Sequence, residues 1–236
     1  MNLKLQKIIT IDGPAGAGKS TLARELARRL TWIYLDTGAL YRAMALTAAR
    51  RGLDPHDQAA AEEMARSISL SAHPKPEGTA ILVDDEDVTA LLRSPEVSRN
   101  AAVISAWPGL REALLGIQRA LGTRGEVVAE GRDMGTVVFP EAGLKLFLYA
   151  SPEARARRRC QELTAKGEKV GFDEVLADIT ARDEIDCSRP VSPLRPAPGA
   201  VTIDSTNLDI DAVLKVMINA FRNRFSPGIL IKGNRQ

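Results

Sequence analysis

The patterned part of the chain opens on KIITID (Lys7–Asp12), an unbroken β-branched run ending at Gly13. That texture suits a parallel strand buried on both faces. Behind it Leu22, Ala23, Leu26, Ala27 and Leu30 recur at helical spacing and predict one apolar face of a helix over Lys19–Leu30. Trp32–Leu35 predicts a second short strand. Gly38–Arg51 predicts a second helix, stopped by Gly52 and Pro55. From about Ser67 to Arg99 the texture changes to strand-and-turn material (ISLS, TAILV, DDEDVT) broken by Pro74, Pro76 and Gly78, which reads as a small β-rich insertion. Helical patterning resumes at Pro108–Leu121. Strands are expected at Glu126–Ala129 and Lys145–Tyr149, with the loop GRDMGTVVFPEA between them. Two charged helices, Pro152–Lys166 and Asp173–Asp186, precede a last strand at Val201–Asp204 and a closing helix over Ile210–Phe225. The Pro-rich PVSPLRPAPG segment fits an ordered surface connection, and no internal repeat interrupts the series. Strands alternating with helices give an α/β fold: a mostly parallel central sheet, helices on both faces and the small β-rich insertion.

A length of 236 residues suits one compact domain. With 44% apolar and 26% charged residues, wholesale disorder is excluded. No apolar stretch reaches the roughly 18 residues of a membrane helix, and the first residues lack the apolar region of a secretory leader. The expected compartment is the cytoplasm. Lys plus Arg total 32 against 30 Asp plus Glu, a net +2 that argues against a general nucleic-acid coat but leaves a local basic pocket open. Cys160 and Cys187 fit two reduced thiols, and no Cys/His spacing supports a structural zinc. Aromatic residues, at 4%, are too sparse for single-strand binding by base stacking. His56 and His73 sit in polar, Pro-flanked surroundings as solvent-exposed bystanders.

Candidate chemistry begins directly after the first strand. Gly13, Pro14, Ala15, Gly16, Ala17, Gly18, Lys19 and Ser20 match G-x-x-x-x-G-K-[ST] at every fixed position, between a strand and a helix as that motif requires. A chance match anywhere in the chain is on the order of one in a hundred. The glycines allow backbone N–H groups to surround a phosphate at a helix N-terminus. Lys19 would hold the β- and γ-phosphates, and Ser20, followed by Thr21, would give a hydroxyl to Mg²⁺. Nucleoside triphosphate binding follows from this loop; the reaction does not. An N-K-x-D segment for guanine is lacking, and no long strand ending in paired acids marks a motor ATPase. Arginines are plentiful instead: Arg42, Arg111, Arg132, the 155–159 run, Arg182 and Arg189. Phosphoryl transfer between anionic nucleotides needs that supply, because catalysis there is positioning plus electrostatics.

DTGALYR (Asp36–Arg42), LREAL (Leu110–Leu114), EGRDMGTVVFP (Glu130–Pro140) and RDEIDCSRPVSPL (Arg182–Leu194) follow TIDGPAGAGKST in an order and spacing that resemble the bacterial cytidylate kinases. The likeness runs from about Ile8 to Phe225. It implies an ATP-dependent kinase of CMP, and of dCMP, with the P-loop NTPase three-layer fold. The expected layout is a single domain over 1–236: a core (about 1–66 and 103–236), a monophosphate-binding insert (about 67–102) and a lid (about 155–190). By the same resemblance Arg42, Arg132 and Arg189 hold the acceptor phosphate, with Thr37 where the family usually has Ser. Arg182 and Asp186 contact the ribose, and Arg111 and Asp133 read the cytosine edge. Arg158 and Arg159 belong to the lid over ATP, and Lys19, Arg132, Arg158 and Arg189 surround the transferring group.

Some residues keep two readings at this point. The RARRR run also fits a solvated helix face or a nucleic-acid patch, and Tyr41 fits an acceptor-pocket wall and a core aromatic equally. Glu130 could orient magnesium-bound water or serve as a buried structural carboxylate. One departure concerns the base: the family commonly has a Ser nine residues before the LREAL arginine, and here that position is Ala102, with Ser105 one turn away. The expected partners are ATP and CMP or dCMP, with Mg²⁺ as cofactor; the chain is expected to be a monomer without nucleic acid or membrane. The alternatives are a kinase of UMP or another small acceptor, and a P-loop NTPase with a nucleic-acid regulatory role.

Overall fold

The computed structural model describes residues 7–75, 78–123, 125–165 and 167–225. Expectations that touch 1–6, Pro76, Lys166 or 226–236 lie outside the described residues. The elements run β1 (Ile8–Asp12), α1 (Lys19–Leu30), β2 (Ile33–Asp36), α2 (Gly38–Arg50), α3 (Gln58–Ser67), β3 (Leu70–Lys75), β4 (Gly78–Val83), β5 (Glu86–Asp87), α4 (Pro95–Ile104), α5 (Pro108–Gly122), β6 (Val127–Gly131), β7 (Leu144–Tyr149), α6 (Pro152–Ala165), α7 (Phe172–Ser188), β8 (Val201–Asp204) and α8 (Ile210–Phe225). A 3₁₀ turn (Thr89–Arg93) follows β5, and a π-helical turn (Met134–Val138) follows β6.

β2, β6, β1, β7 and β8 form a five-stranded sheet in that order, every pair parallel. The period of two along a strand splits β1 between two cores. Ile9 and Ile11 pack with Leu22, Leu26, Leu146, Leu148, Val213 and Met217 under α1 and α8. Ile8 joins Leu35, Ala129, Met134 and Phe139 on the opposite face, against Leu115 of α5. Full burial of β1 explains why its sequence carries no polar alternation until Thr10 and Asp12.

The insertion pairs β3, β4 and β5 antiparallel. Its core is shared with α2, α4 and α5 through Leu40, Met44, Ile81, Leu92, Ile104, Leu110 and Leu114. Two helices here were not expected from periodicity. α3 starts at Asp57, whose carboxylate accepts from the Ala60 amide at 3.0 Å. α4 corrects the strand-and-turn reading of the last part of the insertion: Ser94 caps it by accepting from the Val97 amide, and Pro95 occupies its first turn. α6 and α7 hold a separate small cluster of Ala156, Leu163, Val175 and Ile179. No helix among the described residues is long and apolar enough to cross a membrane. Both cysteines are free thiols.

Candidate active site

Chain reversals at the carboxyl ends of the parallel strands bring the chemistry to one edge of the sheet, where open α/β sheets bind ligands. Gly13, Gly16 and Gly18 hold φ of +151°, +75° and +92°, backbone that side chains rarely adopt. A Cβ on Gly13 would stand 2.0 Å from the Leu148 carbonyl oxygen, so the loop runs flush against β7. Gly18 begins α1 without a side-chain cap, which leaves first-turn amides for an anion. Lys19 is buried, and its Nζ donates to the Pro14 carbonyl at 2.7 Å. Burial first and Arg132 second pull its ammonium down to about 7, against Glu130, Asp186 and Asp12. Ser20 and Thr21 are exposed at the rim.

Glu130, at the end of β6, is buried behind this loop. Its Oε1 accepts from the Tyr34 hydroxyl at 2.5 Å, and its carboxylate is hydrogen-bonded to Ser20. Burial and then Asp36 push its carboxyl above the usual range. Asp12, at the end of β1, accepts from the Met134 and Gly135 amides, both at 2.8 Å. Burial, followed by the two amides that oppose it, leaves its carboxyl raised to about 6.

Every acceptor-side residue expected from sequence lines one cavity beside this loop: Thr37, Tyr41, Arg42, Arg111, Arg132, Asp133, Arg182, Asp186 and Arg189. Asp186 of α7 is its electrostatic hub. Arg132 Nε donates to one carboxylate oxygen at 2.6 Å, and Arg189 Nη2 approaches the other at 3.2 Å. Burial opposes ionisation of Asp186, but Arg132 and Arg189 outweigh it and hold the carboxyl below its ordinary value. Arg182 is pulled down to about 10 by burial, with Arg132, Arg159 and Arg42 adding repulsion. Such a cluster of guanidinium groups around one carboxylate is a receptor for an oxyanion. Arg42 pairs with Asp36 at 2.7 Å.

At the other end of the cavity Arg111 donates to Asp133 and to the Ser105 carbonyl, and its guanidinium lies 5.4 Å from the centre of the Tyr41 ring. Tyr41 is thus a cavity wall and a core-packed aromatic at once, its phenol pushed up to about 12 mainly by burial. Thr37 lines the cavity, though its hydroxyl donates to the Glu130 carbonyl at 2.7 Å.

α4 and its C-cap supply a further wall, Ser98, Ala101, Ala102 and Ser105; Ala102 and Ser105 were singled out from sequence, Ser98 and Ala101 were not. The Ser94–Pro95 helix start was the readable signal for it. The Ser105 hydroxyl donates to the Ala102 carbonyl at 2.8 Å.

The 155–159 run divides. Arg158 does not point to the phosphate loop: its guanidinium donates to the Ser205 hydroxyl at 3.2 Å and to the Ser205 carbonyl, in the β8–α8 connection. Arg159 pairs along α6 with Glu162 at 2.8 Å and faces Arg182. Arg155, not singled out from sequence, is the one that reaches the loop. Almost wholly buried, it donates to the Ala15 carbonyl at 3.1 Å and the Ala150 carbonyl at 2.9 Å, and binds Asp183 with both terminal nitrogens. A larger hollow of about 740 Å³ lies at the opposite end of the sheet, between Gly143–Lys145, Pro198–Val201 and α8. Among its described lining residues the charged ones are Lys145 and Arg224, both cationic, so its size does not locate the chemistry.

The cytidylate kinase family model matches residues 9–223. A cytidylate kinase of Carboxydothermus hydrogenoformans is 47% identical over 210 residues, 89% of this chain and 95% of that protein. One from Citrifermentans bemidjiense is 44% identical over 221 residues, 94% of this chain and 95% of its own length. Among solved structures, a shikimate kinase from Acinetobacter baumannii in complex with shikimate aligns over 94% of this chain and 97% of its own, with 16% identity and a TM-score of 0.47. With a match over nearly its whole length and relatives at such identity, the chain belongs to the cytidylate kinase family.

Proposed function

We propose that this chain transfers the γ-phosphoryl group of ATP to CMP, and also to dCMP, giving the diphosphate and ADP. The observation that carries the reading is the convergence, beside the phosphate loop, of a guanidinium cluster around Asp186 with a buried Arg–Asp pair. The cluster suits the acceptor's phosphate and ribose. Arg111 and Asp133 offer a donor and an acceptor, which suits the ring nitrogen and amino group of cytosine.

Transfer is direct and in line. The acceptor phosphate is already an anion, so neither a general base nor a covalent carrier is required. Lys19 and Arg132 flank the space between loop and cavity and meet the charge that spreads over the non-bridging oxygens. Arg189 fixes the acceptor from the α7 side, Arg155 holds the phosphate loop from α6, and Arg158 and Arg159 would have to leave Ser205 and Glu162 to close over the donor. The oxygen-only pair of the Ser20 hydroxyl at the rim and the buried Glu130 carboxylate behind it fits a hard divalent cation. Ser20 would hold Mg²⁺, which when bound neutralises charge on the donor's phosphates. In this reading residues 67–102 form the acceptor-binding insert, 155–190 the lid that excludes water, and the remainder the core. The protein acts as a cytoplasmic monomer.

The test is an acceptor screen with ATP and Mg²⁺ across CMP, dCMP, UMP, AMP, GMP and shikimate, with a polynucleotide arm. ATP turnover should be nearly silent alone and start on addition of CMP. Turnover that responds to polynucleotide but not CMP would overturn the reading, and preference for UMP would move the base assignment.

A further inference from the structure

We propose that Asp12 is a positioning residue that staples the acceptor-binding loop to the phosphate loop. Asp12 is the last residue of β1, and the next residue, Gly13, begins the loop that holds the donor. β1 and β6 run parallel in a register that places Asp12 opposite Gly131. Just beyond Gly131 come Arg132 and Asp133, and then the π-helical turn whose first residues are Met134 and Gly135. Each oxygen of the Asp12 carboxylate accepts one amide of that turn, Oδ1 from Met134 and Oδ2 from Gly135, both at 2.8 Å. Asp133 itself offers no side-chain cap to the turn, so the cap comes from another strand.

The consequence is geometric. Arg132 and Asp133 hang between two fixed points: the β6 ladder at Gly131 and the Asp12 clamp at Met134 and Gly135. One points to the Asp186 hub and the other to Arg111. The clamp is made by the residue adjoining the donor loop, so beyond the β1–β6 ladder the distance between donor and acceptor sites is set through this one carboxylate. The packing leaves this loop no slack. A Cβ on Gly135 would meet Thr10 Oγ1 at 2.9 Å, Ala197 Cβ at 3.1 Å and Asp12 Oδ2 at 3.3 Å. A carboxylate only 2% exposed is costly to keep when an apolar residue would complete β1. Its carboxyl is raised to about 6 by burial, in the direction expected of a group retained for a task. No direct contact with either substrate is assigned to it.

The proposal rests on the acceptor reading above, and its test separates the two. Asp12→Asn preserves shape but gives one acceptor and one donor in place of two acceptors. Gly135→Ala disturbs the same clamp from the loop side with Asp12 intact. In the full-length protein both should raise the KM for CMP about tenfold or more, as a misplacement of reacting groups does. The KM for ATP should stay within about threefold. The CMP-to-UMP preference should fall in parallel, since Asp133 sits in the stapled loop. Hydrogen exchange should quicken at the Met134 and Gly135 amides in Asp12→Asn, whatever the substrate proves to be. If exchange quickens but the wild type ignores CMP, the staple stands and the acceptor reading fails. If only melting temperature falls, with KM and base preference unmoved, Asp12 is structural and the proposal is overturned. Equal loss of ATP and CMP affinity overturns it too, assigning Asp12 to the donor loop alone.

Discussion

Replacing Asp133 with Asn tests the base pocket at its centre. Arg111 and Asp133 are 6% and 4% exposed and bonded to each other. Arg111 keeps a second bond, to the Ser105 carbonyl at 2.9 Å, and the face of Tyr41. Truncation to Ala would leave a buried guanidinium without its counter-charge, a cost of about 3–5 kcal/mol that risks the fold. Asn keeps an oxygen for Arg111 and loses mainly the charge assistance, about 1 kcal/mol by comparison of charged with neutral bonds. Stability should therefore fall modestly in Asp133→Asn and severely in Asp133→Ala. Selectivity behaves differently. The carboxylate only accepts, which suits a cytosine amino group and disfavours the uracil carbonyl; an amide presents either face. About 1–3 kcal/mol of discrimination should disappear, a drop of roughly 5- to 150-fold in the CMP-to-UMP ratio of kcat/KM. The assay is a coupled measurement of ADP release with each acceptor, alongside urea denaturation of both variants. A folded Asp133→Asn protein whose ratio changes less than about twofold would refute the assignment, because a residue that reads the base cannot be neutralised silently.

Lys19→Ala should lower kcat at least about 100-fold, with urea stability little changed, since the ammonium's hydrogen bond to the Pro14 carbonyl is offset by the cost of its burial. Arg189→Ala and Arg132→Ala should raise the KM for CMP about tenfold or more, each removing a charged contact worth roughly 1.5–3 kcal/mol; ATP affinity, read by equilibrium titration, should hardly move. Ala102→Ser should widen the CMP-to-UMP ratio a few-fold, one neutral hydrogen bond being worth about 0.5–1.5 kcal/mol, because Ser105 already donates its hydroxyl to the Ala102 carbonyl. The Asp12 carboxyl, raised to about 6 by burial with Asp133 adding to it and the two amides and Lys19 opposing, must be ionised to accept two amides. Lowering the pH through that value protonates it, so kcat/KM for CMP should fall below about pH 6. The acceptor's own phosphate titrates near 6 with any enzyme, so the ratio of wild type to Asp12→Asn is the measurement, and it should shrink toward one as pH falls.

The sheet strands and the flanking helices were legible because β-branched runs alternate with 3.6-period stripes, and the closing helix Ile210–Phe225 and last strand Val201–Asp204 match the expected bounds. α3 and α4 were hidden by composition. QAAAEEMARS offers alanines where a stripe would need larger residues, and α4 follows a 3₁₀ turn whose TALLR reads as strand-like. The acceptor residues could be carried over from motif resemblance, yet nothing in a linear pattern states that Asp133 is tied to Arg111 across 22 positions. The Arg-rich run was ambiguous for a different reason. A helix turns about 100° per residue, so neighbours in RARRR face different elements, and only the place of Asp183 on another helix selects Arg155 for the interior. Asp12 was overlooked because a polar end to a strand is ordinary in sequence, and its partners lie 122 and 123 residues away.

The grip of Arg155 has a mechanical meaning. One guanidinium holds the Ala15 carbonyl of the donor loop, the Ala150 carbonyl and Asp183. Because both terminal nitrogens close on Asp183 while one of them and Nε hold backbone carbonyls, α7 cannot shift relative to the phosphate loop without opening that bond. Asp183 lies one helical turn before Asp186, about 4.5 Å along the axis at 1.5 Å per residue, and Asp186 is in turn tied to Arg132. The phosphate loop and the arginine cluster are therefore held in register through α7 as well as through the sheet.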